Sequence, residues 1–204
     1  MRSYAPCLIA ILASGPASGA IVADTFGPGT TFDQHGYYSW SQQPVTLRIG
    51  FRFTAGAGGG LTDLTTAVYH PSTGSAAGAR FDLYDDNAGL PGALLGSWAA
   101  PTPGANYSAT TFPPALHLSL DGSVQVAQGQ TYYFIVDAES PFGRIDWFLN
   151  PTGNTGTQVY QYQPGPWLTE PQPQPFGAFR LETVPGPGGL SVVAGAAVIR
   201  RRRR

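Results

Sequence analysis

The stretch Val45-Thr46-Leu47-Arg48-Ile49-Gly50-Phe51-Arg52-Phe53-Thr54 decides the fold. Val45, Leu47, Ile49, Phe51 and Phe53 alternate with Thr46, Arg48, Gly50, Arg52 and Thr54. A period of two sustained over ten residues is the pattern of a strand with one face buried and the other wet. Residues 55–60, rich in glycine, end it as a turn. Further strands are expected at 61–69, 80–84, 94–99 and 107–112. Another lies at 115–120, with Leu116, Leu118 and Leu120 inward and His117 and Ser119 outward. Residues 131–137 are aromatic or β-branched on both faces, as in a central strand, and 144–149, 158–162 and 176–182 complete the set. No run of ten residues has helical periodicity. Roughly ten short strands between turn signals predict an all-β antiparallel β-sandwich, jelly-roll-like, over residues 21–183. No fixed-period repeat points to a propeller or solenoid. Residues 163–175, rich in Pro and Gln, are expected to form an extended surface loop.

The chain has 204 residues and a formal net charge of −1. That near-neutrality hides an asymmetry. All twelve acids but only five of the eleven basic residues fall between 21 and 183, so this region carries −7, with no lysine at all. An acidic domain does not seek nucleic acid or anionic membrane. Twenty-seven glycines and nineteen prolines favour turns and short strands over helices. The lone cysteine, Cys7, falls in the N-terminal leader, which leaves residues 21–183 without a disulfide or a thiolate metal site.

Met1-Arg2, the apolar run 7–13 and the small residues at 16–20 have the layout of a secretory signal peptide over 1–20. Signal peptidase cleavage fits best after Ala20, with Ala23 as the second choice. Tyr4-Ala5-Pro6 before Cys7 do not suit lipoprotein attachment. The other end, 184–204, runs from a Pro/Gly hinge through an uncharged apolar segment to Arg200, Arg201, Arg202, Arg203 and Arg204. Counted from Val184, the apolar run is about 16 residues, roughly 24 Å as a helix. It is expected to form a short C-terminal transmembrane helix, with snorkelling arginines covering the shortfall against a core of about 30 Å. The arginines would stay cytoplasmic. The competing reading is a solvated basic tail, for which an apolar run just before the charges has no use.

This tail resembles the PEP-CTERM sorting signal, whose pattern is Val-Pro-Glu-Pro, an apolar helix and an Arg-rich end. Here the signature is Val184, Pro185, Gly186 and Pro187, with Gly where the family usually has Glu. The resemblance implies recognition and removal of the tail by an exosortase-type membrane protease. The product is then released or attached at the cell surface, often beside exopolysaccharide production. A second likeness spans about 44–183. It rests on Phe81-Asp-Leu-Tyr-Asp-Asp-Asn-Ala-Gly-Leu-Pro-Gly-Ala-Leu-Leu95, Tyr132-Tyr-Phe134, Trp147, Tyr160-Gln-Tyr162, Trp167 and Ala178-Phe-Arg-Leu181. This order is similar to the extracellular β-sandwiches called choice-of-anchor domains, which as a group have no known catalytic role.

Asp85, Asp86 and Asn87, followed by Gly89, gather oxygen ligands and are the candidate Ca²⁺ site, although the EF-hand spacing is absent. The same residues serve a hairpin turn through their backbone freedom. Tyr37, Tyr38, Trp40, Trp98, Trp147, Tyr160, Tyr162 and Trp167 could stack on sugar rings; Trp167, Tyr160 and Tyr162 are the candidate sugar-stacking side chains, with Trp167, beside Pro164-Gly165-Pro166, expected to be the most exposed. Aromatics in a β-protein also serve as core or cross-strand pairs. Glu139 and Asp146, with Asp137 near in sequence, are the carboxylates that could serve glycoside hydrolysis. His35, His70 and His117 are scattered, and HExxH, GxSxG and Walker patterns are absent. The expectation is therefore an exported, non-enzymatic protein. It would be held by its tail in the inner membrane, then sorted to the surface or matrix in a structural or adhesive role linked to exopolysaccharide and biofilm. The alternative is a carbohydrate-binding module using exposed aromatics and calcium; a polysaccharide hydrolase ranks third.

Overall fold

The computed structural model describes residues 19–33, 36–42, 44–70, 78–102, 114–139 and 143–184. Among them the only helical element is a 3-10 turn at Pro28–Thr30. In chain order the strands are β1 (Ala20–Asp24), β2 (Gly36–Gln42), β3 (Val45–Thr54), β4 (Gly59–Thr66), β5 (Val68–Tyr69), β6 (Gly78–Asn87), β7 (Leu90–Pro101), β8 (Leu116–Ser119), β9 (Gln125–Val126), β10 (Thr131–Ala138), β11 (Arg144–Phe148), β12 (Thr155–Gly156), β13 (Gln158–Gln163), β14 (Trp167–Thr169), β15 (Gln174–Pro175) and β16 (Phe179–Val184). Their ladders are antiparallel. β1, β16, β4 and β8 lie side by side in a five-stranded sheet, with β9 also on β4. The nine-stranded sheet runs β5, β11, β2, β3, β10, β6, β7, with β13 added along β3 and β14 along β13. β12 and β15 pair separately. The fold is all-β and β-sandwich-like.

β3 is the pivot of the large sheet. Leu47 lies between Trp40 of β2 and Tyr162 of β13, whereas Ile49 lies between Val136 of β10 and Tyr160 of β13. A strand has two edges, so β13 runs along one while β2 and β10 share the other, each taking part of β3. The fork needs Gly50, where a Cβ would strike Ile135 and the carbonyl of Phe134.

The alternating face of β3 enters the core as expected. Phe51 meets Trp147 with ring centroids 5.5 Å apart, and Trp147 meets Phe134 at 5.6 Å. Phe134 in turn lies 4.8 Å from Phe179 of the opposing sheet. Trp147 is 1% exposed, and its indole N–H donates to the carbonyl of Ala178 at 3.1 Å. The polar handle of a buried Trp is thus satisfied. Leu116, Leu118 and Leu120 pack against this core while His117 and Ser119 are exposed, as their alternation predicts. Strand β10 is buried on both faces: Phe134 and Val136 point to the main core, Tyr133 and Ile135 to a smaller cluster with Val159.

Some expectations are corrected. The β1 and β2 strands were not anticipated. The run 61–69 is two strands parted at Ala67, whose N–H donates to the carbonyl of Ala178. Residues 163–175 are not one surface loop: β14 folds back on β13 through Pro164-Gly165-Pro166, and β15 pairs with β12. The polar face of β3 is not wholly wet either. Arg48 is 4% exposed, with its guanidinium over the Trp167 ring at 5.3 Å. The expected strand at 107–112 and the tail from 185 onward lie outside the described residues. Among those described, no helix is long and apolar enough to cross a membrane.

Candidate functional site: a tyrosine-lined groove

Leu47 and Ile49 share the face of β3 that carries Phe51, and their β13 partners Tyr162 and Tyr160 stand beside them. Tyr37 of β2 closes over Phe51 at 5.4 Å. Beyond that contact the face opens into a groove of about 440 Å³. Tyr37 and Tyr38 line it from β2, Tyr160 and Tyr162 from β13, and Glu170 lies at its rim. The positions follow from local bonds. The N–H of Gly165 donates to the carbonyl of Tyr162 at 2.6 Å and turns the β13–β14 hairpin. The side-chain amide of Gln161 donates to the carbonyl of Gly165 at 2.8 Å. After β14 the N–H of Glu170 donates to the carbonyl of Gln158 at 3.0 Å, which returns Glu170 to the groove.

Tyr38 and Tyr162 are each 48% exposed, a high value for aromatic rings on a sheet. The rings of Tyr160 and Tyr162 are 5.9 Å apart and nearly perpendicular. Burial, and then the negative charge of Glu170, push the Tyr37 phenol up to about 12, so it stays protonated and able to donate. Arg144 stacks on Tyr38 at 4.7 Å, and its Nε donates to Asp146 Oδ1 at 2.8 Å. Aromatic faces, phenol hydroxyls, amides and one carboxylate make a surface for a hydroxyl-rich ligand.

Of the expected stacking residues, the structure brings Tyr160 and Tyr162 into this groove and places Trp167 elsewhere. Trp167 is half-buried across the sheet, edge-on to Tyr84 at 5.9 Å and under Arg48. Its expected exposure is corrected: the Pro-Gly-Pro turn folds it onto the sheet. Tyr37 and Tyr38 were visible in sequence as aromatics; Glu170 was not singled out, since its role depends on the hairpin's return.

Asp85, Asp86 and Asn87 are the last residues of β6, and the turn itself is Ala88-Gly89, both with positive φ. Asp85 accepts from the N–H of Ala93, and Asp86 accepts from the Tyr133 hydroxyl at 3.0 Å with Arg52 Nε at 3.4 Å. Among the described residues no three His, Cys, Asp or Glu gather as a metal group. Asp146 is 4% exposed; its Oδ2 has no hydrogen-bond partner among the described residues, and burial pushes the carboxyl up to about 7. Glu139 ends a described segment, its N–H donating to the carbonyl of Gly78 at 2.8 Å. Ala20 opens β1 and Val184 closes β16, while Pro185, Gly186, Pro187 and Arg200 to Arg204 lie outside the described residues.

Two other features compete for attention. Arg48 and Arg80 pair with Asp82 and Asp137 in a buried ionic cluster on the sheet face that also carries Trp167. Burial raises the Asp137 carboxyl against the pull of both arginines. This cluster is closed to solvent at three of its four members and is structural. A larger cleft of about 850 Å³ lies between Asp24, Arg52 and residues 153–157. Its aromatic lining is Phe53 and Phe176, and Phe53 is only 8% exposed. Among the described residues, the tyrosine groove combines exposed rings with polar groups.

Fold and groove together define the class: a β-sandwich-like domain with an aromatic-polar surface groove. No protein-family model matches the chain, and no curated protein is significantly similar to it.

Proposed function

We propose that this is an exported protein, held briefly at the inner membrane by residues 184–204. There an exosortase-type protease sorts it to the cell surface or extracellular matrix, where it has a structural or adhesive role in an exopolysaccharide layer. The jelly-roll and choice-of-anchor likenesses belong to the same proposal. The observation that supports it is the pairing of the first and last strands. Ala20 lies opposite Thr183, and Val184 lies opposite Gly60 beside the β3–β4 turn. Both ends of the domain therefore leave at one end of the sandwich. Leu47, in the groove, is about 23 Å along β3 from Thr54 at that turn. A chain tethered through 185–204 would present the groove away from the membrane.

The test is the intact mass of the protein recovered from the envelope and from the medium of its native host. Loss of about twenty N-terminal residues together with the segment from near Val184 supports sorting. A chain that still ends in Arg204 in the inner membrane makes the tail a plain anchor and defeats the sorting proposal.

The groove favours a second reading, a carbohydrate-binding role, compatible with the first. The calcium-assisted version has less support, because one oxygen of Asp85 and one of Asp86 already accept hydrogen bonds from the protein.

A further inference from the structure

Resting on the adhesive reading, we infer that the groove between β2 and the β3–β13 face binds an uncharged polysaccharide chain and discriminates against polyuronates. Sugar recognition needs apolar faces for the C–H side of a pyranose and hydrogen-bonding groups for its hydroxyls. The groove supplies both within one wall. Tyr160 and Tyr162 are two residues apart on β13, their rings 5.9 Å apart, so they address neighbouring parts of one chain rather than a single isolated ring. Tyr38 contributes an exposed ring from β2, so that it and Tyr162 are the groove's exposed rings and Tyr160 is half-buried. Leu47 and Ile49 of β3, each 8% exposed, line the groove beside Tyr162 and Tyr160.

The polar groups set the charge preference. Glu170 is the only ionised group lining the groove among the described residues, and Gln158 and Gln174 are its amides. A carboxylate accepts two hydrogen bonds from adjacent sugar hydroxyls, and such charge-assisted bonds are the stronger kind. Tyr37, held protonated beside Glu170, adds a donor. A uronate would instead meet Glu170 and the −7 charge of residues 21–183. Arg144 lies outside the groove's lining, where it stacks on Tyr38 and donates to Asp146. The groove is open to solvent and lacks the enclosure that a small ligand needs for tight binding.

The experiment is calorimetric titration of the full chain, kept in mild detergent, with three probes: cellohexaose, chitohexaose and hexagalacturonate. At least one neutral hexaose binds, and the uronate binds about tenfold or more weakly. Tyr162→Ala and Tyr38→Ala each lower affinity for the neutral probe about tenfold, the loss expected of an aromatic contact at the centre of a site. Glu170→Gln lowers it several-fold and narrows the gap to the uronate. Trp167→Phe leaves it unchanged. Tyr38 and Tyr162 are exposed, and thermal melts of their variants check that the fold is intact. Silence with both neutral probes, equal affinity for the uronate, or wild-type binding in both tyrosine variants overturns the inference. Processing of the tail is read separately by mass in the native host: a chain still ending in Arg204 there, with binding intact, defeats sorting alone, and processing without binding defeats this site alone.

Discussion

Ala20 on the first strand lies directly opposite Thr183 on the last, and the Thr183 hydroxyl donates to the Ala20 carbonyl at 3.4 Å. The next residues tighten the closure. Val22 is 2% exposed, and its carbonyl accepts from the N–H of Gly56 at 2.7 Å. Cleavage after Ala23 would take Val22 out of the core, so the mature chain is expected to begin no later than Val22. N-terminal sequencing checks this, and a mature chain starting at Asp24 sinks it. Val22→Ala should cost about 2 kcal/mol in a denaturant titration.

The β6–β7 hairpin turns on Ala88 at φ 55 and Gly89 at φ 90. Two central residues with positive φ are the signature of a type I′ turn, which prefers Asn-Gly. Ala88 is therefore the strained member. Ala88→Asn and Ala88→Gly should each raise stability by roughly 0.5–1 kcal/mol, and Gly89→Ala should lower it by about 1 kcal/mol. Thermal melts of the three variants decide; a destabilised Ala88→Asn would contradict the turn assignment.

Arg48 neutralises Asp82 and lies 3.3 Å from Asp137, with all three side chains 5% exposed or less. Its removal leaves two carboxylates buried with only Arg80 to share. Arg48→Ala should cost about 3–5 kcal/mol, the range for breaking one side of a buried pair. Adding Asp82→Asn should return part of that loss, because a buried amide tolerates what a lone carboxylate does not. Strict additivity of the two substitutions would be the contrary result.

Asp146 gives a pH signature. Burial raises its carboxyl from 3.8 to about 7, although Arg144 Nε is 2.8 Å from Oδ1. Between those values the native state keeps a proton that the unfolded chain has lost. This group's contribution is therefore greatest below about pH 4 and declines as pH rises to about 7. Asp137, raised by burial too, acts in the same direction. Asp146→Asn should match the wild type near pH 4 and exceed it by ~1–2 kcal/mol at pH 8. Urea midpoints at both pH values test this. An advantage that does not grow with pH means that Arg144 holds the carboxylate ionised.

Much of the fold could be read locally. The alternation from Val45 to Phe53, the two-faced apolar run at 131–137 and the Leu116-Leu118-Leu120 stripe each report their own burial, because side-chain period is a property of a few consecutive residues. β2 is hard to read because Tyr38-Ser-Trp-Ser41 alternates against its burial: Ser39 and Ser41 are buried and Tyr38 is exposed. Its burial comes from being shared between β3 and β11. β14 escaped because Pro164 and Pro166 flank its turn and read as loop. Of the groove, the four tyrosines are legible in sequence as aromatics, but grouped with Trp167, which turns the other way.

By itself the sequence determined that the chain is built of short antiparallel strands, where most of them lie, and that an acidic, cysteine-free region sits between an N-terminal leader pattern and a hinge-apolar-arginine tail. These depend on composition and local period. Only the tertiary structure decided that β1 pairs with β16, that Arg48 is buried, and that Tyr38, Tyr162 and Glu170 share one groove. Those facts depend on which distant strands become neighbours. Pairing Leu47 with Tyr162 joins residues more than a hundred positions apart, and no local pattern encodes that register.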